Sequence, residues 1–257
     1  MDDLAQRLYQ EGLSQYEPQL RKLVLPSVKL NLALANETEV KIGASKLGGF
    51  PDLLPNIKWP HWQEIPLSFL AQICLEDIHP HDVKQILPIH GLLSFFLLDV
   101  QYPLDLDSYP FWAYASVQYF DQDLTSLRRV APPSTLPPDN IYPACTLNFV
   151  KNDTLPPLGA WLLEKLALPT AAHEIYSDKV WVGLEAAKEP YHHLLGYAES
   201  IYQESMDYDD EALLLQIDSD ANIGLSWGDR GMLYFTMKQV ELQNGDFSKV
   251  QVHYEGL

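Results

Sequence analysis

Leu47-Gly48-Gly49-Phe50, then Phe69-Leu70-Ala71-Gln72-Ile73, then Gly91-Leu92-Leu93-Ser94-Phe95 make up a pattern that the chain writes twice. The second copy reads Leu194-Leu195-Gly196-Tyr197, Leu213-Leu214-Leu215-Gln216-Ile217 and Gly231-Met232-Leu233-Tyr234-Phe235. Gly49 and Gly196 are 147 residues apart, the two glutamines 144, and Gly91 and Gly231 140. Three blocks in one order imply two copies of a unit: a glycine turn, a strand ending near a glutamine, and a glycine-started strand. The spacing is far beyond the ~20–50 residues of solenoid and propeller repeats. The reading is an α+β fold with mostly antiparallel sheets, two pseudo-repeated halves sharing one core, and a helical N-terminus. The first half covers about 27–130 and the second about 144–257 of one domain. Between them, residues 131–143 hold five prolines, which excludes helix and central strand and predicts a surface connection.

Outward from these blocks the pattern is coarser. Leu4, Leu8, Leu20, Leu23 and Val24 have helical spacing in two pieces, with Gly12 and Pro18 marking the interruption. Val28, Leu30, Leu32 and Leu34 alternate with less apolar neighbours and predict a half-buried strand. Residues 43–66 are punctuated by glycine and proline yet carry Phe50, Trp59 and Trp62, so they read as an ordered loop. Strands are expected at 67–75, 91–99, 113–120, 146–150, 213–217, 231–237 and 250–254. Helices are expected at 161–168 and about 171–187, although 180–183 reads equally well as a strand. An acidic loop is expected at 199–212.

The glutamines are the informative polar residues. A glutamine inside an apolar strand must place its amide hydrogen bonds or lose a few kcal/mol (~2–7) to desolvation. Gln72 and Gln216 either bond the backbone of the glycine turn before them or face a ligand in a cleft.

Charge limits the function classes. The chain has 257 residues, 17 Lys+Arg and 35 Asp+Glu, for a net charge of −18. With 47% hydrophobic residues it is no disordered polyanion. The acidity argues against a nucleic-acid partner and against anionic membrane. The N-terminus lacks a basic start and an apolar run, and no window approaches 18 apolar residues. Cys74 and Cys145 fit two free thiols in a reducing compartment, so a cytoplasmic setting is expected.

Motifs that carry chemistry are few. Adjacent His192 and His193 project to different faces of a strand, which disfavours a shared zinc site and favours one buried histidine beside an exposed one; a general-base or ligand role in a cleft is the alternative. Asp218 and Asp220 lack the glycine and glutamate of a calcium loop and read as turn caps. Asp229 caps the Trp227–Gly231 turn or pairs with Arg230. Lys46 stands where His193 stands in the second copy; beside two glycines it suits a carboxylate or phosphate, without a Walker pattern. His79-Pro80-His81-Asp82 lacks a second ligand cluster. No metal or cofactor is expected.

The blocks also resemble a family. Residues 45–51, Trp59-Pro60, residues 66–73 and 91–96 are similar to the first half of the YwqG-like family, a bacterial domain of unknown function. Residues 192–197, 213–220 and 227–235 are similar to its second half, and 246–250 to its C-terminal strand entry. The resemblance implies an α+β fold of two related halves in a cytoplasmic setting, and no reaction. Some such domains accompany toxin and immunity systems. The expected function is therefore a non-catalytic cytosolic binding protein for a basic protein partner, of the immunity-inhibitor type. The alternative is a small-molecule binder or enzyme using a cleft between the halves, lined by Lys46, Trp59, Gln72, His192, His193, Gln216 and Trp227. A scaffold without a ligand is the third class. No oligomeric state is assigned.

Overall fold

The computed structural model describes residues 3–99, 114–121, 124–156, 166, 168–181, 190–199, 206–228 and 231–255. Its fourteen described strands are β1 (Leu25–Leu34), β2 (Lys46–Leu47), β3 (Asp52–Leu53), β4 (His61–Trp62), β5 (Ile65–Pro66), β6 (Ser68–Cys74), β7 (Leu92–Leu97), β8 (Ala115–Phe120), β9 (Arg128–Arg129), β10 (Cys145–Thr154), β11 (His192–Leu194), β12 (Glu211–Asp218), β13 (Met232–Lys238) and β14 (Gln251–Glu255). Ten form one antiparallel sheet in the order β14-β13-β12-β11-β1-β10-β2-β6-β7-β8. The fold mixes helices and mostly antiparallel strands, with the sheet dominant.

The strand order is palindromic about β1 and β10. These two pair along their full lengths, Leu25 opposite Thr154 and Leu34 opposite Cys145. On one side β10 pairs with β2; on the other β1 pairs with β11. Each long strand thus lies beside the short strand that follows its partner, so β1 and β10 cross over between the two arms of the sheet. The irregularities match as well. The β6–β7 ladder slips between Phe69 and Ala71, and the β12–β13 ladder between Leu213 and Leu215. Such a bulge adds twist to its strand.

Twist curls the sheet until the arms face each other. The Phe95 ring on β7 meets Phe235 on β13 edge-on at 5.2 Å, and Tyr119 on β8 meets Phe247 at 5.2 Å. The inner faces of both arms join in one core with Val28, Leu30, Leu93, Leu215, Ile217 and Leu233. Apolar burial of this kind stabilises by about 25 cal/mol per Å². The outer face of the first arm (Phe69, Leu92, Phe96, Phe120) is covered by Leu53, Leu54, Trp59 and Leu127 from the proline-punctuated loops.

Helix α1 (Asp3–Gln10) places Leu4 and Leu8 on one side, and α2 (Glu17–Leu23) adds Leu20. They pack on Leu155, Leu168, Ala172, Tyr176 and Val180. Pro18 starts α2 rather than interrupting a helix, because the first turn needs no proline N–H. β10 starts at Cys145 and runs to Thr154, one residue before and four beyond the expected strand, because β1 offers a full-length partner. The helix expected at 171–187 is α-helical only at Thr170–Ile175, then continues as a π-helix over Tyr176–Trp181; its remainder and most of 161–168 lie outside the described residues.

Candidate functional site

Two glycine turns hold Lys46, Gln72, His193 and Gln216 of the residues singled out in the sequence. In the first, Gly48 has φ +64° and Gly49 φ +68°. A Cβ on Gly48 would lie 2.8 Å from the Tyr142 carbonyl oxygen and closer still to that of Pro143, so this position needs glycine. The Gly48 amide donates to the Leu70 carbonyl at 2.7 Å. In the second turn Leu195 occupies the matching place with φ +60°, its amide donating to Leu214 at 3.3 Å.

The glutamine of the neighbouring strand clasps both ends of each turn. Gln72 Oε1 accepts from the Asp52 amide (2.9 Å), and its Nε2 donates to the Ala44 carbonyl (2.8 Å) and to Asp52 Oδ2 (2.8 Å). Gln216 Oε1 accepts from the Glu199 amide (2.8 Å), and its Nε2 donates to the Tyr191 carbonyl (3.1 Å). Both glutamines are fully buried and bonded to backbone flanking their turns. That satisfies the amides without any ligand.

The turns differ in their filling. Lys46 faces Gln72 across β2–β6 and is fully buried. Its Nζ donates to Glu37 Oε1 (2.9 Å) and to the Phe50 carbonyl, and lies 5.7 Å from the centre of the Phe69 ring. Burial lowers the Lys46 pKa, opposed by the hydrogen bond to Glu37 and the charges of Asp52 and Glu37. Arg129 Nε lies 2.9 Å from both Asp52 Oδ1 and Glu37 Oε1, and its Nη1 donates to the carbonyls of Glu37 (2.6 Å) and Val40 (2.9 Å). Two cations and two carboxylates therefore neutralise one another around the first turn.

His193 takes the place of Lys46, facing Gln216 across β11–β12. Its Nδ1 lies 2.8 Å from the Leu195 carbonyl, so that nitrogen carries the proton, and its ring packs on Tyr191 at 4.7 Å between centroids. Thr154 takes the place of Glu37: Thr154 Oγ1 accepts from the Tyr197 amide (2.9 Å), as Glu37 Oε2 accepts from the Phe50 amide (3.3 Å).

His192 is also buried, at 2% exposure, so neither histidine of the pair is solvent-facing. This differs from the expectation of one exposed ring. β11 lies between β1 and β12, an interior place in the sheet, and Leu194 and Leu195 beside the pair join the shared core. His192 Nδ1 accepts from the Asp218 amide (3.1 Å), which places its proton on Nε2, 3.5 Å from Asp220 Oδ2. Removal from water outweighs that carboxylate and pushes the imidazole pKa down to about 4, so it is neutral near pH 7. Asp220 Oδ1 caps its turn by accepting from Asn222, and Asp218 Oδ2 accepts from the Tyr191 amide.

Trp59 donates Nε1–H to the Leu67 carbonyl (2.8 Å) and packs edge-on against Phe96 at 5.7 Å. Trp227 is buried in the shared core, edge-on to Tyr142 at 5.5 Å. Asp229 and Arg230 lie outside the described residues. The structure brings Lys46 to Gln72 and His193 to Gln216, but keeps the pairs apart. β10 and β1 stand between β2 and β11, three strand spacings or about 14 Å.

Glu37, Asp52, Arg129 and Thr154 are essential parts of the turns that the sequence reading passed over. The available signal was charge set in apolar company, as in Pro51-Asp52-Leu53 and Arg129-Val130. Burial is the leading cause that pushes the thiols of Cys74 and Cys145 up to about 11, where they stay protonated and weakly nucleophilic. Among the described residues no three His, Cys, Asp or Glu side chains are grouped to hold a metal ion, and no helix is long and apolar enough to cross a membrane.

No curated protein matches this chain. A family does: residues 45–255 match the Domain of unknown function DUF1963, which spans most of the chain and both glycine turns. The chain belongs to the DUF1963 family.

Proposed function

We propose that this protein is a non-catalytic cytosolic binding protein that engages a basic protein partner through its acidic surface, as an immunity-type inhibitor would. The observation that carries the reading is the burial of Lys46, Gln72, His192, His193, Gln216 and Trp227. Each sits where the fold uses it, so binding falls to the surface, and the surface belongs to a chain of net charge −18. Asp207, Asp209 and Asp210 are exposed before β12, with Lys238 as a cation paired to Asp210 and to Glu211 (3.8 Å). Opposite charge accelerates encounter and is screened over about 10 Å at 0.1 M salt. Within this reading the two arms are copies of one duplicated unit, and the resemblance to the YwqG-like family holds. Affinity purification of the tagged chain from its host tests it at low and high ionic strength. A basic protein recovered at low salt and lost at high salt is expected; recovery of no basic protein at low salt sinks the proposal.

A further inference from the structure

The glutamine strands of the two arms end under matching caps. In the first arm Ser45, the residue before Lys46, accepts the Cys74 amide on Oγ (2.8 Å) and donates its hydroxyl to Asp77 Oδ2 (2.8 Å). In the second arm His192, the residue before His193, accepts the Asp218 amide on Nδ1 (3.1 Å) and turns Nε2 toward Asp220 Oδ2 (3.5 Å). Cys74 and Asp218 each lie two residues past the glutamine of their arm. A hydroxyl keeps both roles in mild acid, whereas an imidazole accepts only while it is neutral. Asp220 also anchors the connection between β12 and β13. Its amide donates to the Leu225 carbonyl (2.8 Å), its carbonyl accepts from the Leu225 amide (3.0 Å), and its Oδ1 accepts from the Asn222 amide (2.9 Å). The Trp227 amide donates to Ser219 Oγ (2.9 Å). The connection sets Ile223, Leu225 and Trp227 into the shared core.

We propose that His192 is an acid-sensitive latch: when its ring gains a second proton, residues 219–228 lift out of the core while both arms stay folded. The second proton goes to Nδ1, the nitrogen that faces the Asp218 N–H, and so sets donor against donor. The groups around the ring do not offset this. Burial opposes the cation first, and Lys29 on β1 opposes it too; Asp220 in the connection favours it and is outweighed. Asp218, at the end of β12, is itself held toward its neutral form by burial, and the Cys145 thiol on β10, near enough to feel the Asp220 charge, stays protonated. The ring titrates at about 4 in the closed protein and at about 6.5 once it reaches water, so falling pH favours opening. β11 and β12 have strand neighbours on both sides, whereas the connection stands outside the sheet ladder and is the element that yields.

The test is hydrogen exchange of the full-length protein, read amide by amide by NMR at pH 7 and pH 4.5 and corrected for the intrinsic rate at each pH. Protection of the Asp218, Asp220, Leu225 and Trp227 amides should fall about fiftyfold between the two, the ratio set by a ring that titrates at about 4 closed and about 6.5 open. The Cys74 amide, capped by Ser45, should keep its protection. His192→Gln, whose side-chain amide accepts and donates without titrating, should hold the four amides protected at both pH values. Equal loss at Cys74 and at the four amides means that the whole chain opens and overturns the proposal, as does no loss at the four. Both outcomes are read on the unaltered protein and stand if the variant misfolds. A folded His192→Gln protein that loses as much protection as the parent overturns it as well.

Discussion

The two glycine turns share a backbone frame and differ in everything placed inside it. In both, a strand glutamine bonds the chain on either side of the turn. In the first the interior is ionic, with Lys46, Glu37, Asp52 and Arg129. In the second a histidine and a threonine hold the matching places. The difference teaches that the glutamine clasp is what the fold requires. Paired charges are one way of filling the clasp, and neutral groups another. A buried pair gains little over an apolar filling, but losing one member leaves an uncompensated charge in a medium of low dielectric.

The sharpest way to break the comparison is to remove what joins the arms. β1 lies outside the matched family region of 45–255, yet it pairs with β10 on one side and β11 on the other. Deleting residues 1–34 should divide the ten-stranded sheet and abolish the cooperative thermal transition. Circular dichroism melting checks this, and a fully cooperative melt in the shortened chain would mean that the arms are independent.

The next test separates ionic from neutral filling. Lys46→Met should cost about 3 kcal/mol, because Glu37 loses a buried cation. Thr154→Val, the change at the opposite turn, should cost about 1–2 kcal/mol by leaving the Tyr197 amide without its acceptor. Denaturant unfolding measures both. Equal costs would show that the charges add nothing beyond hydrogen bonding.

Acid should act on the second arm first. His192 has a folded pKa of about 4, below the unfolded value of about 6.5. The unfolded chain therefore binds the proton more readily, and stability rises with pH across this window. The contribution of neutral His192 is complete above about pH 6.5 and is lost as pH falls toward 4, about 3 kcal/mol at most. Unfolding between pH 7 and 4.5 checks this: the decline should be smaller in His192→Gln, and an identical decline in both proteins would assign the acid sensitivity elsewhere.

Much of the sheet was legible in the sequence because strands buried on both faces announce themselves as apolar runs, as in Leu92–Leu97 and Leu213–Ile217. The α+β class, the antiparallel strands and the helical start follow from such runs and their spacing. Pairing order was not legible. Nothing in the alternation of Val28, Leu30 and Leu32 says that their neighbours are Leu194 and Lys151 rather than residues of the first half. Lys46, Gln72, His193 and Gln216 were found as places where polarity interrupts apolar sequence. Their partner Glu37 comes from a loop, where a charged residue is ordinary, and Asp52 and Arg129 from the two-residue strands β3 and β9, too short to show a strand period, so that their apolar neighbours are the one signal of burial.

The crossed strands set an order of events. β1 is made early but meets its partners only when residues 145–154 and 192–194 exist. Until then an apolar strand with two unmatched edges must avoid other chains, and the first arm lacks the β10 strand that borders β2. Contacts so distant in sequence slow the search for the native state. Folding is therefore expected to be largely deferred until most of the chain is synthesised, with both arms locking together through the same central pair.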